Sequence, residues 1–178
     1  LLLVPLFLAG CGVPEQASLG ELIERYSEGD PKAATELVAL LGRNIARDER
    51  AQVYRTLSED GAKAEADLRQ AANSGDDVQR EHALALAAIH KFGWARQAAV
   101  KALGDKEFKR KHVGAWVLGE LGDTGNIEAL VDLLVRQPQG ITARETARAL
   151  VKLGKGSSAP LAARLGEVGG AARGYGLR

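Results

Sequence analysis

Apolar residues recur along this chain in two columns spaced 31 residues apart. The first column is Leu37, Leu68, Ala99, Leu130 and Leu161, and the second is Leu41, Ala72, Leu103, Leu134 and Leu165. Each member of one column lies four positions from its counterpart, one helical turn along the same face. At an apolar fraction of 46%, ten preset positions are all apolar by chance roughly four times in ten thousand. Eight of these ten are leucine. Self-similarity at a period of about 20–50 residues marks an array in which each unit buries its apolar face by stacking on its neighbours.

The turn signals divide the chain into about five helix pairs. Leu19, Leu22, Ile23 and Tyr26 stand at helical spacing behind Ser18 as N-cap, with Gly29-Asp30 as the stop. Pro31 opens a second helix that runs to Gly42. Val53, Tyr54 and Leu57 mark the next helix, and Asp60-Gly61 turns the chain towards Leu68 and Ala72. The third pair opens after Ser74-Gly75-Asp76-Asp77, breaks near Phe92-Gly93 and continues over 95–103. The fourth covers 107–121 and 126–135. In the fifth, Thr142 caps a helix over 143–153 and a second one runs from Ser157 to Leu165. A looser column on the first helices, Ile23, Tyr54, Ala85, Trp116 and Ala147, keeps the same spacing, and Trp116 is expected in the core. No run of alternating β-branched residues suggests a strand.

The stretch Val113-Gly114-Ala115-Trp116-Val117-Leu118-Gly119-Glu120-Leu121-Gly122-Asp123, followed by Ile127–Leu134, resembles a HEAT repeat. It is most similar to the short bacterial type named after phycobilisome lyases. The segments 143–154 with 159–165 and 82–93 with 95–105 resemble it as well, so the likeness covers 19–166. The resemblance implies an all-α fold, an armadillo-like right-handed α-solenoid whose second helices line the concave side. On that side the family usually meets partner proteins.

The first ten residues, Leu1 to Gly10, are uncharged and almost wholly apolar. They are too few to cross a bilayer, which takes about 20, and they match the apolar region of a secretory signal. Leu8-Ala9-Gly10-Cys11 resembles the lipobox of bacterial lipoproteins, which implies a diacylglycerol on the Cys11 thiol and removal of the segment before it. Cys11 is the single cysteine, so no intramolecular disulfide can form. The chain has no Met and no charge before Glu15, so a few residues are expected to be missing from the start of the signal. The expected organisation is therefore a signal over 1–10, a lipidated tether over 11–18, repeats over 19–166 and a Gly-rich tail over 167–178.

Composition narrows the chemistry. Aromatics make up only 4% and Ala is abundant, which suits closely packed helices. Twenty-four basic and 23 acidic residues leave a net charge of +1, which argues against a nucleic-acid groove. His82 and His90 are eight apart, about 12 Å along a helix and too far for one zinc ion. No Cys pair, His-Glu-x-x-His, Gly-x-Ser-x-Gly or phosphate loop occurs, so no metal, cofactor or catalytic residue is expected. Lys106, Lys109, Arg110, Lys111 and His112 form the one basic cluster, either a solvated helix start or a contact for anionic lipid or an acidic partner.

What remains for function is the polar surface of the second helices. Asp67, Gln70, Lys101, Asp132 and Arg136 lie opposite the buried columns and are expected to line a concave groove. Trp94, at a repeat edge, either packs on the next repeat or anchors a partner. The expected role is that of a non-catalytic scaffold or adaptor that binds another envelope protein, with no nucleic acid and no small-molecule substrate. It would be anchored on the periplasmic or extracellular side, and the resemblance to bacterial lipoproteins implies, from Gly12 after the cysteine, the outer membrane. An accessory subunit of a lyase-type enzyme is the alternative that the resemblance implies.

Overall fold

Capping side chains set where several helices begin in the computed structural model, which describes residues 18–168, with side chains to residue 164. Ser18 Oγ accepts from the Glu21 N–H at 3.3 Å, and the Ser18 N–H donates to Glu21 Oε2 at 2.8 Å, a reciprocal capping box. It starts α1 (Leu19–Ser27). Asp30 Oδ1 accepts from the Lys32 N–H at 2.9 Å and, with Pro31 in the first position, starts α2 (Pro31–Leu40). Asp76 Oδ1 takes the N–H groups of both Val78 and Gln79 at 2.8 Å and starts α5 (Asp77–Ile89). The other α-helices are α3 (Arg47–Glu59), α4 (Glu65–Ser74), α6 (Ala95–Gly104), α7 (Lys111–Glu120), α8 (Ile127–Arg136), α9 (Gly140–Leu153) and α10 (Ser158–Val168). Among the described residues there is no strand, and the ten helices fall into five consecutive pairs.

Two boundaries differ from the sequence reading. Thr142 is not the cap of α9. The helix begins two residues earlier at Gly140, whose φ of +76° lets the chain turn in, and the Thr142 carbonyl accepts from Thr146 Oγ1 at 2.7 Å. The fourth pair begins at Lys111, not near Glu107, because Phe108 is drawn out of the helical path into the core, where it is wholly buried.

Packing follows chain order. The first helices touch one another in the sequence α1–α3, α3–α5, α5–α7 and α7–α9, and among the second helices α2 meets α4, α4 meets α6 and α8 meets α10. One apolar core runs from Leu22 to Leu150. Leu37, Leu68, Ala99, Leu130, Leu41, Ala72 and Leu103 are buried in it, Leu134 and Leu161 are partly buried against it, and the Leu165 side chain lies outside the described set. Bonds between neighbouring pairs repeat at close to the same interval. Lys63 Nζ reaches the Ser27 carbonyl at 2.9 Å, and His90 Nε2 donates to the Leu57 carbonyl at 2.7 Å. Lys152 Nζ meets Glu120 Oε2 at 2.6 Å.

Tyr26 is 2% exposed, and its hydroxyl donates to the Asp60 carbonyl. Burial, with the Asp60 and Asp67 carboxylates nearby, pushes the phenol up from 10.0 to about 12. A raised folded-state pKa contributes stability that is complete below pH 10.0 and lost as the pH rises through about 12. Denaturant unfolding across that window is expected to show a steep alkaline loss that Tyr26→Phe flattens, despite its lower stability at neutral pH. Equal alkaline slopes in the two proteins would contradict this.

Candidate functional site: an apolar groove across the first helices

The amphipathic first helices carry more apolar surface than the core uses. On α3 the core takes Val53 and Leu57, which leaves Ala51 and Tyr54 on a neighbouring stripe. The same happens at Ala85 on α5 and at Trp116 on α7. These residues form the floor of an open groove of about 610 Å³ that crosses α3, α5, α7 and α9. Val113 and Ile141 complete its apolar lining, and Ile141 is 49% exposed at the α9 edge. Trp116, expected in the core, is therefore partly buried as groove floor. Ala147 of the same column lies in a separate depression of about 590 Å³ along α9, with Val151 and Leu134.

The polar rim is unevenly paired. Glu81 on α5 accepts from the Arg110 guanidinium and lies 3.0 Å from His112 Nε2. Glu145 on α9 accepts from Arg148 Nη1 at 2.8 Å and lies 3.4 Å from Arg144 Nε. Arg47 and Arg50 on α3 have no ion-pair partner among the described residues. Arg50 Nη2 donates to the Arg43 carbonyl at 2.8 Å, and its buried Nε has no hydrogen-bond partner. Both groove carboxylates are thus paired within the protein, whereas the two arginines that line its α3 end, with Asp48 and Glu49 between them outside the lining, are not ion-paired among the described residues.

His82 sits in the groove wall, edge-on to Tyr54 with ring centroids 5.7 Å apart. Burial pushes its pKa below 6.5, against the pull of Glu81, so the imidazole is neutral at pH 7. A lowered folded-state pKa makes the contribution complete above 6.5 and lost as the pH falls through the folded value. The stability of the wild type is expected to fall over that range more steeply than that of His82→Phe. Identical acid-side slopes would rule this out.

The polar positions singled out in the sequence serve mainly as ties between second helices. Asp67 Oδ1 accepts from Thr35 Oγ1 at 2.8 Å, and Asp132 Oδ1 accepts from Arg164 Nε at 3.0 Å. Arg136 Nε bonds the Asp132 carbonyl at 3.2 Å, while Gln70 is exposed and its carbonyl accepts from Ser74 Oγ at 3.0 Å. Trp94 stacks on Phe92 at 5.8 Å and donates its Nε1–H to Glu65 Oε1 at 3.1 Å. Lys101 Nζ meets Asn73 Oδ1 at 3.2 Å, and Trp94 and Lys101 share a depression of about 420 Å³. Cys11 lies outside the described residues.

The basic cluster divides in the same way. Arg110 and His112 are committed to Glu81, and Lys111 Nζ donates to the Leu103 carbonyl at 3.1 Å, which leaves Lys106 and Lys109 exposed. Sequence reading missed the groove, although its floor is the looser column Tyr54, Ala85 and Trp116. It also missed Phe108 and the Arg80 guanidinium stacked 4.2 Å from the Phe108 ring centroid. Among the described residues no His, Cys, Asp and Glu side chains gather in a metal-binding group. Ser157 Oγ spends its donor on the Leu150 and Gly154 carbonyls at 2.9 and 2.7 Å. No described helix is long and apolar enough to cross a membrane. Comparison with known protein families, curated proteins and solved structures finds no match to this chain.

Proposed function

We propose that this chain is a bacterial lipoprotein whose helix pairs form a HEAT-type α-solenoid, and that it serves without catalysis as a scaffold for another envelope protein. The stacking of first helix on first helix supports the solenoid reading. The observation that carries the binding role is the groove, an aromatic-floored apolar surface spanning four helices with its carboxylates already paired. It moves the expected partner surface from the second helices to the first. Cys11 would tether the array, on the periplasmic or extracellular side, with Gly12 favouring the outer membrane; two acyl chains suffice for stable anchoring.

Two measurements test the parts separately. A photocrosslinking amino acid at Ile141 should yield discrete protein adducts in cells, and Trp116→Glu should abolish them. A smear insensitive to Trp116→Glu would sink the scaffold reading. A radioactive fatty acid should label the protein, and Cys11→Ala should remove both the label and the membrane attachment. Attachment that survives Cys11→Ala would sink the lipoprotein reading.

A further inference from the structure

We propose that the segment seated in the groove is an acidic amphipathic helix, its apolar face on Tyr54, Ala85 and Trp116 and its carboxylates at Arg47 and Arg50. This rests on the scaffold reading and adds the chemistry of the partner. The groove crosses four stacked helices, three steps of about 8–10 Å each, so it spans about 25–30 Å. A helix rising 1.5 Å per residue covers that length in about 17–20 residues. Such a helix offers an apolar stripe at i, i+3, i+4 and i+7, the usual way of filling a hydrophobic groove.

Charge decides the polarity of the segment. Glu81 and Glu145, the two carboxylates of the groove, are already held by Arg110, His112, Arg144 and Arg148. They therefore offer little to a basic ligand. Arg47 and Arg50 stand unpaired on α3 beside Ala51 and Tyr54, where the apolar floor begins. An acidic residue there would gain charge-assisted hydrogen bonds from Arg47 and from the Arg50 donors that the Arg43 carbonyl does not take. A basic segment would instead meet two cations at that end. A phosphate backbone would find two arginines and an apolar floor, too little cationic surface to follow. One end of the partner is thus fixed by charge and its length by the run of the groove from α3 to α9, so the groove also orients the segment.

The test uses the full chain and two fluorescein-labelled synthetic helical peptides with leucines along one face. One carries glutamates at one end, and its twin carries lysines at the same positions. Anisotropy titrations at low salt should show the glutamate peptide binding about tenfold more tightly, from two exposed ion pairs. Added salt should erode the difference. The double charge reversal Arg47→Glu with Arg50→Glu should invert the preference, and Arg47→Glu alone, at an exposed position, should bring the two peptides close to equal affinity. Trp116→Ala should weaken both peptides.

Equal binding of the two peptides, or a preference that the charge reversal leaves unmoved, overturns the inference. Binding of neither overturns it as well. In those cases protein adducts at Ile141 would leave the scaffold reading standing, and their absence would remove both.

Discussion

Replacing Phe108 with alanine is expected to cost about 3–5 kcal/mol of stability, the range for truncating a buried phenylalanine. The ring is wholly buried, yet it comes from the loop before α7 and not from a helix. Arg80, 8% exposed, lays its guanidinium over the ring face at 4.2 Å to the centroid and donates Nη1–H to Asp105 Oδ2 at 2.9 Å. Its Nε is buried without a hydrogen-bond partner, so the aromatic face is the contact that compensates it. Removing the ring leaves a cavity and an under-solvated cation together. The same loop leads directly to Arg110, which neutralises Glu81 at the groove. The variant should therefore lose denaturant resistance and also weaken the acidic-peptide preference as Glu81 becomes free to repel it. Urea midpoints and anisotropy on the same samples measure both. A loss below about 1 kcal/mol would mean that the loop is held by its polar contacts alone.

The helix pairs were readable because helices that touch in chain order bury an apolar residue at the same place in successive pairs. Leu37, Leu68, Ala99 and Leu130 are all wholly buried at that spacing. The groove was not readable for the same reason. Tyr54, Ala85 and Trp116 obey an identical period, and periodicity says that a residue faces an apolar surface without saying which one. On α7 the core is filled by Val113, Val117 and Leu118, which leaves Trp116 displaced to the neighbouring stripe. Polar positions misled in the opposite direction. Asp67 and Asp132 look like free surface in a linear sequence, but their partners Thr35 and Arg164 stand one unit away, where only stacking brings them near. Phe108 was masked by its setting, since Lys106 to His112 reads as solvated charge around a single aromatic. A lone apolar residue without a periodic neighbour carries no phase, and its burial is decided by Arg80, 28 positions earlier.

Substituting Gly119 tests a close backbone approach between α7 and α9, and the larger the side chain the greater the expected loss. In a helix interior alanine is better than glycine by about 1 kcal/mol, so propensity alone predicts that Gly119→Ala stabilises α7. Packing opposes it. A Cβ at Gly119 would lie 2.9 Å from both Cα and Cβ of Ala149 on α9. A backbone atom cannot rotate aside, so the two helices must separate. Overpacking of this kind costs about 1–3 kcal/mol, which makes Gly119→Ala a net loss of about 1 kcal/mol and Gly119→Val one of about 3 kcal/mol. Gly104, at the end of α6 with open space around it, supplies the control, and Gly104→Ala should be neutral or slightly stabilising. Removing the opposing methyl with Ala149→Gly should restore only part of the Gly119→Ala loss, because the clash with the backbone of residue 149 remains. The consequence reaches the groove, whose floor at Trp116 is on α7 and whose edge at Ile141 is on α9. Separating these helices widens the slot between them, so Gly119→Ala should weaken both leucine-faced peptides while leaving their ratio intact. A changed ratio would place the charge selectivity between α7 and α9, away from Arg47 and Arg50.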